Sequence, residues 1–359
     1  MRAVVRRAGA LVCDEIETPK PGPGQTLVKT LCCGICGSDL HALHYLDHMV
    51  ALTRRAGGGV GGGLDPARDV VFGHEFCAEI VEHGEGGGRF KPGARVVSMP
   101  IMFGPTGFDA IGYSNTMPGG FAEMMALMEP MLIEVPNGLS SESAAMTEPM
   151  AVGAHAVAEA KLEPGAAALV LGCGPVGLAV IAALKAKHDG PIIAADYSAR
   201  RRAAAQMLGA DVVVDPKNES PHARWESFGV PATLAAYSMA RMAGAKGAKP
   251  VVFECVGAPG VLQSVIEACP PGALILVAGV CMESDKIEPS LAINKQLEMK
   301  FVLGYTPDEF AQTLRDIAEG VIKTDGLVTR ETGLDGVAQA FRDLADPEAE
   351  VKVMVKPAL

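Results

Sequence analysis

Cationic residues are in the minority: 31 Lys and Arg stand against 42 Asp and Glu, a formal charge of −11. So acidic a surface argues against nucleic acid or an anionic membrane as the main partner. No apolar run approaches the roughly 20 residues that a membrane-spanning helix needs, so no membrane partner is expected. The opening segment, "MRAVVRRAGALVCDEIETPKPGPG", has early arginines but no sustained apolar stretch and no small-residue cleavage site. It reads as the first strands of a folded domain, not a signal peptide, and a cytoplasmic location is expected. The nine cysteines are odd in number and irregular in spacing, so a disulfide framework is not expected. There is no internal repeat. Low complexity is confined to the patch "RAGGGVGGG" at 55–63.

With 359 residues the chain is long enough for two domains. An apolar fraction of 49% and a charged fraction of 20% are globular values. Residues 1 to about 150 are rich in Gly and Pro and in short apolar runs such as "TLVKTLCC", "FCAEIVEHG" and "ARVVSMP". Short strands punctuated by turns predict an all-β unit of the barrel type. Near 140 the texture turns helical, in "SSESAAMTEPMAVGAHAVAEAKL". From about 167 apolar strands alternate with helices: "AAALVLG", "PVGLAVIAALKAKH", "PIIAAD", "SARRRAAAQMLG", "DVVVD" and onward to "GALILVAGV". That rhythm predicts a parallel sheet covered on both faces, so the fold class is α/β plus β. The expected division is 1–150, completed by about 305–359, and 151–304.

"LVLGCGPVGLAV" places Gly172, Gly174 and Gly177 in a G-x-G-x-x-G pattern between an apolar strand and an apolar helix. The first glycine permits a tight turn, the second lets a pyrophosphate approach the backbone, and the third lets helix and strand pack closely. Pro175 and Val176 open the helix, whose N-terminus favours an anion. Asp196 ends the next strand, 19 residues past Gly177. A carboxylate there accepts from both ribose hydroxyls of NAD and repels the 2′-phosphate of NADP. NAD is the expected cofactor. Arg200, Arg201 and Arg202 are either a solvated helix start or a phosphate site, and Arg201 is taken as a cofactor contact.

"CCGICGSDLH", residues 32–41, holds one C-x-x-C pair, Cys33 and Cys36. A structural zinc usually needs a second pair, and none exists; a thioredoxin-like pair would open a helix in a βαβ unit. A catalytic zinc needs only three protein ligands, which can lie far apart in sequence. His74 and Glu75 in "FGHEFCAEI" and Glu148 in "MTEPMAVG" are the candidates to join Cys36. Taken singly, His74 reads rather as a satisfied core histidine and Glu148 as a helix-start carboxylate; their joint occurrence beside a dinucleotide fold favours the metal.

The sequence resembles the zinc-dependent medium-chain alcohol and polyol dehydrogenases. The resemblance rests on "CGICGSDLH", "GHEFCAEIVEHG", "FKPGARV", "PGGFAEMM", "TEPMAVGAHAV", "LGCGPVGL", "DYSARRRAAAQMLGAD" and "FECVG", in the family's order. It implies a GroES-like β-barrel catalytic domain, a Rossmann domain and an active site in the cleft between them. It implies Cys36 as thiolate ligand, His74 as imidazole ligand, Glu75 as ligand or supporting carboxylate, and Glu148 at a position that is glutamate in the polyol branch. One thiolate and one carboxylate neutralise a divalent ion, so one glutamate is expected to bind directly at a time. Ser38 matches the hydroxyl that passes on the substrate proton, His41 a later member of that relay, and Asp39 a residue that orients the ligands. Backbone near Val256, Gly257, Gly279 and Val280 is expected at the nicotinamide, and Lys352 at the pyrophosphate. His44 and His48 share helical offsets with His41 and read as a partly exposed helix face. The implied reaction moves a hydride between NAD and a small-molecule alcohol or its carbonyl, and the family is usually a homodimer or homotetramer.

Three departures stand out. Many relatives carry a four-cysteine lobe for a second zinc, whereas residues 91–125 contain no cysteine, so one ion per chain is expected. Ala78 and Ala94 replace a usual glycine and aspartate. The stretch "LDHMVALTRRAGGGVGGGLDPARD" is extra between Cys36 and His74, either a loop over the substrate or a neutral surface insertion. Residues 217–249, with Trp225, form a second long connection. The rival readings are a zinc-free NADPH reductase of activated double bonds and a non-catalytic nucleotide-binding structural or sensor protein.

Overall fold

The computed structural model describes residues 1–59, 61–104, 107–244 and 247–359, without the side chains of 104, 107 and 108. Val60 of the glycine-rich patch, Pro105 and Thr106 of the cysteine-free loop, and Ala245 and Lys246 of the second connection lie outside the described residues. The chain forms two compact units, Met1–Glu148 with Phe310–Leu359, and Pro149–Glu309.

The first unit is built on the strand Gln25–Gly34. It pairs antiparallel with Glu75–His83 on one side, and with Met124–Met128 and Lys352–Val355 on the other. Val28 and Cys33, five residues apart, both enter a core with Phe72, Phe76, Phe121 and Val353, because the pairing register shifts between Thr30 and Cys32. The register sets Gly34 opposite Glu75 on one neighbour and Met354 on the other. The returning C-terminal strand therefore brings Lys352 beside the segment that begins at Cys32.

The all-β expectation fails over one stretch. Helix α1, Gly37–Arg55, takes up 19 residues, including the front half of the extra sequence. Its cause is legible: Asp39, Ala42, Leu46 and Val50 recur at helical spacing and are buried. Cys36 and Asp39 form a reciprocal capping box, and Asp39 Oδ2 accepts the Cys36 N–H at 3.0 Å. The helix is kinked at Tyr45 (φ −122°). The described remainder of the insertion includes a turn at Gly61–Gly63 that leads to buried Leu64.

The second unit is a six-stranded all-parallel sheet. Its spatial order is Val212–Val214, Ile192–Ala195, Ala167–Leu171, Pro250–Glu254, Leu274–Val277, Glu298–Phe301. The strand order reverses outward from Ala167–Leu171, which is the doubly wound dinucleotide-binding pattern. Helix α2, Pro175–Lys187, follows that first strand and is buried along its length from Gly177 to Leu184. Trp225, in a 3-10 turn at Pro221–Phe228, is buried among Leu169, Ile193 and Val252, so the second connection covers one face of the sheet. Among the described residues no helix is long and apolar enough to cross a membrane.

Candidate functional site

In the first unit the sulfur of Cys36, a ring nitrogen of His74 and a carboxylate oxygen of Glu75 all lie within 4.8 Å of one another. Two elements deliver them. Cys36 lies two residues past the central strand and caps α1, while His74 and Glu75 lead into the neighbouring strand Glu75–His83. Gly73, at φ +101°, makes the turn that precedes His74, and a Cβ there would meet Cys33 Sγ at 2.9 Å and Phe121 at 2.8 Å. Cys33 itself is buried, and burial holds its thiol well above the ordinary range. All nine cysteines are free.

The cluster gathers acidic groups around one buried ammonium, Lys352, which pairs with Glu75. His74 Nδ1 and both Glu75 oxygens are buried without a well-formed hydrogen bond. Asp39, fully buried, lies 3.5 Å from His74 Nδ1. Burial opposes protonation of His74, but Asp39 and then Cys36 outweigh it and raise its pKa well above the usual histidine value. The site thus places a thiol, an imidazole and a carboxylate, the donor set that zinc takes, within reach of one another. A carboxylate on Nδ1 is also the usual support for an imidazole whose Nε2 binds a metal.

Glu148 is buried in the first turn of the helix Thr147–Ala160 but is not within the 4.8 Å cluster. It is near enough to Lys352 to help raise that ammonium's pKa. Lys352 itself corrects an expectation. Its side chain is 1% exposed; it forms an ion pair with Glu75 and donates to the Ile35 carbonyl at 3.0 Å. An ammonium enclosed in this way presents no surface to a pyrophosphate. Gly34 makes room for the pair: a Cβ there would meet Glu75 Oε2 at 2.1 Å and Lys352 Cε at 2.8 Å.

Ser38, in the first turn of α1, opens on a cavity of about 150 Å³ walled by Leu46, Met49, Val50 and Leu64. Tyr113 closes the same cavity, and its one hydroxyl hydrogen is shared between Ser38 Oγ at 2.9 Å and Asp39 Oδ1 at 3.1 Å. Burial, then Asp39 and Cys36, hold its phenol well above the ordinary tyrosine pKa, so it stays a donor. Sequence reasoning missed Tyr113: it sits in the cysteine-free loop, and no spacing ties it to Ser38. His41, half-buried with its pKa lowered by burial, lines a different cavity with Leu11, Leu40 and Phe341. His44 and His48 are exposed.

In the second unit the glycine turn has the geometry that its pattern demands. Gly172 is left-handed (φ +85°), and a Cβ would strike Val256 Cγ2 at 2.8 Å. A Cβ on Gly177 would lie 1.8 Å from the Gly172 carbonyl oxygen. On Gly174, the N-cap of α2 followed by Pro175 and Val176, a Cβ would have only Arg201 Nη1 within reach, at 3.9 Å. Backbone amides at a helix start, an open face at Gly174 and a guanidinium beside it form a cradle that fits a pyrophosphate. Arg201 Nε is buried without a partner, consistent with a guanidinium awaiting an anion. Asp196 accepts from the Cys173 N–H at 2.7 Å and the Ser198 N–H at 2.8 Å, tying the turn to the next strand. Arg202 is committed elsewhere, to the carbonyls of Asp196 and Tyr197 and to Asp215.

Val256 and Val280 are 47% and 54% exposed at the ends of their strands. The buried carboxylate of Glu254, also missed from sequence, holds that edge by accepting the N–H groups of Val256 and Gly257 at 2.7 and 2.9 Å. Its only sequence signal is an acid at the end of an apolar strand.

Comparison with known proteins agrees with this chemistry. Residues 22–137 match the alcohol dehydrogenase GroES-like domain and residues 175–319 the zinc-binding dehydrogenase family. The chain is 34% identical to (R,R)-butanediol dehydrogenase of Bacillus subtilis, covering 96% of each. It is 28% identical to sorbitol dehydrogenase of Bos taurus, over 98% of this chain and 95% of that one. The crystal structure of 2R,3R-butanediol dehydrogenase from Bacillus subtilis superposes with a TM-score of 0.79 at 32% identity, covering 99% of both. A zinc-binding dehydrogenase from Sinorhizobium meliloti bound to NADP does so at 0.79 and 26%, again covering 99% of both. The zinc-free reductase and the non-catalytic reading are not favoured. A likeness that runs from end to end leaves no part of the fold outside it: the chain belongs to the zinc-dependent medium-chain alcohol and polyol dehydrogenases, with a GroES-like and a Rossmann part, zinc and a nicotinamide cofactor.

Proposed function

We propose that the protein oxidises a small secondary alcohol or vicinal diol with NAD, using one zinc ion held by Cys36, His74 and a glutamate. The observation that carries the reading is the Cys36–His74–Glu75 cluster, in a unit that also opens a hydroxyl, Ser38, onto an apolar cavity. When bound, zinc supplies Lewis acidity that lowers a hydroxyl's pKa, and nicotinamide supplies the hydride acceptor. The chain's own residues do the rest. Asp39 orients His74. Ser38 takes the hydroxyl proton, and His41, one helical turn on, is the candidate for the next step. Glu75 and Glu148 share the role of carboxylate ligand, with one binding directly at a time. Gly172, Gly174 and Gly177 with Pro175, Val176 and Arg201 hold the pyrophosphate. Asp196 takes the ribose hydroxyls, and Val256 and Val280 border the nicotinamide. The unit Met1–Glu148 with Phe310–Leu359 is read as catalytic and Pro149–Glu309 as cofactor-binding, in a homodimer or homotetramer.

The cavity beside Ser38 supports a small substrate. Its volume is about 150 Å³, and Leu46, Met49, Val50 and Leu64 line it together with Thr53, Gly61 and Tyr113. A hexitol brings more hydroxyls than Ser38, Thr53 and Tyr113 can pair, each unpaired one costing about 1–3 kcal/mol, whereas methyl groups fit the aliphatic walls. The names of the butanediol dehydrogenase relatives point the same way. The test is metal analysis followed by turnover of 2,3-butanediol stereoisomers, 2-butanol and sorbitol with NAD and NADP. The reading expects bound zinc, NAD preference and 2,3-butanediol ahead of sorbitol. Undiminished turnover after exhaustive chelation, or a preference for NADP, would overturn it.

A further inference from the structure

The segment Asp109–Met117 lies where many relatives carry four cysteines, and here three consecutive residues pin it instead. Ser114 Oγ donates to Asp109 Oδ2 at 2.7 Å and accepts from the N–H groups of Thr116 and Met117. Asn115 accepts the Asp65 N–H at 2.8 Å and donates to the carbonyls of Asp65 and Asp69 at 3.0 and 3.2 Å, fastening the segment to the end of the insertion. Between these clamps and the turn at Gly112, Tyr113 projects inward. Its ring sits 5.9 Å from Phe72 and 5.5 Å from His74 between centroids, and its hydroxyl reaches Ser38 and Asp39.

We propose that Tyr113 is a positioning residue for alcohol oxidation: its hydroxyl fixes Ser38 in the orientation that receives the substrate's proton. A serine hydroxyl has three staggered positions, one proton and two lone pairs. The Tyr113 hydrogen, shared with Asp39, selects one position and engages one lone pair. The other lone pair is left for the incoming proton, and the serine's own hydrogen is left free to pass to His41, the next carrier proposed above. The same phenol touches Asp39, so the residue that fixes the proton acceptor also steadies the carboxylate facing His74. This inference rests on the reading of Ser38 given above.

The experiment is a double-mutant cycle on the zinc-loaded, full-length enzyme, with Tyr113→Phe, Ser38→Ala and the pair. Phenylalanine keeps the ring contacts, so the fold and zinc content are expected to hold. Tyr113→Phe is expected to lower kcat for 2,3-butanediol roughly tenfold, the upper end of a neutral hydrogen bond's net worth, with KM and NADH affinity within about twofold. In the Ser38→Ala background the same change is expected to cost nothing further. A kcat within twofold of wild type for Tyr113→Phe overturns the proposal. So does an equal tenfold loss in both backgrounds, which would mean that the phenol acts without Ser38. If Ser38→Ala alone leaves kcat intact, the role of Ser38 falls and that of Tyr113 with it, whereas a deep Ser38→Ala loss with additive Tyr113→Phe removes only the latter. Asn115→Ala, which loosens the segment but keeps the hydroxyl, gives an independent arm. Its kcat loss should also vanish in the Ser38→Ala background, and persistence there counts against the proposal.

Discussion

Lys352→Met is the sharpest test of how the metal cluster is held together. Both Lys352 and Glu75 are 1% exposed, and the lysine's other contact is the Ile35 carbonyl. Removing one partner of a buried pair leaves the other charge without compensation, at a cost of about 3–5 kcal/mol. For a folding unit of about 150–250 residues each kcal/mol moves Tm by about 2–4 °C, so a fall of roughly 6–20 °C is expected. The comparison belongs in chelator-treated protein, where no metal can take over Glu75, and calorimetry reads it. The double change Glu75→Leu with Lys352→Met should recover most of the loss, because apolar replacement of a whole buried pair is often neutral. Only the Ile35 bond, about 1 kcal/mol, stays lost. pH sharpens the test. Burial works against the ammonium, but Glu75 and then Cys36 hold its pKa above the usual lysine value. A raised folded pKa means that the pair's stabilisation is fully present below the unfolded pKa of about 10.4 and fades only as pH rises through the folded one. The Tm gap between wild type and Lys352→Met should therefore stay constant from pH 7 to 9. A gap under 2 °C, or a double variant worse than the single one, would refute the reasoning.

Three further outcomes follow from the same geometry. Gly34→Ala places a methyl 2.1 Å from Glu75 Oε2, so it should split the ion pair and lower both Tm and zinc content, read by calorimetry and metal analysis. The dinucleotide glycines should separate in phenotype. Gly177→Ala meets the Gly172 carbonyl at 1.8 Å and should destabilise the second unit, whereas Gly174→Ala, whose Cβ meets only a guanidinium atom at 3.9 Å, should fold normally yet weaken NADH binding, read by thermal unfolding beside NADH fluorescence titration. Asp196→Ala should lower kcat/KM for NAD by about tenfold or more through lost ribose hydrogen bonds, narrowing the preference over NADP without creating an NADP enzyme, since Arg202 is already bound to Asp196, Tyr197 and Asp215. Steady-state kinetics with both cofactors decides that case.

What the sequence disclosed depended on whether a local pattern carried the physics. The glycine turn did, because each glycine answers to a contact within its own strand–turn–helix, and so the parallel sheet and Asp196 were legible. Helix α1 was half legible: its apolar spacing at Ala42, Leu46 and Val50 is plain, but the surrounding strand-rich text masked it. Tyr113 was not legible, since its partners Ser38 and Asp39 lie more than seventy residues upstream and only tertiary pairing joins them. Lys352 was misplaced for the same reason. Its strand reaches the core through pairing with Gln25–Gly34, and no nearby residue announces Glu75 as its counterion.

The segment 32–41 gains its capacity from serving two structures at once. Up to Gly34 it is the end of a central strand, and its register sets Glu75 across from Gly34 with no side chain to keep the Lys352 ammonium away. From Cys36 it is a helix cap, and the same residue that would grip a metal also receives Asp39 in a capping box. Asp39 therefore cannot move without unwinding the first turn of α1, and that turn carries Ser38. On the proposed roles, ligand orientation and proton acceptance are mechanically joined: displacing Asp39 should disturb His74, Tyr113 and Ser38 together. Asp39→Asn, which keeps the cap's shape but removes the charge, separates the two effects. It should preserve Tm within a few degrees while lowering zinc affinity by about 10–100-fold, the usual cost of losing a metal ligand's supporting partner. Competition with a chromogenic chelator measures that affinity, and an unchanged value would show that the carboxylate's charge is immaterial to the imidazole it faces.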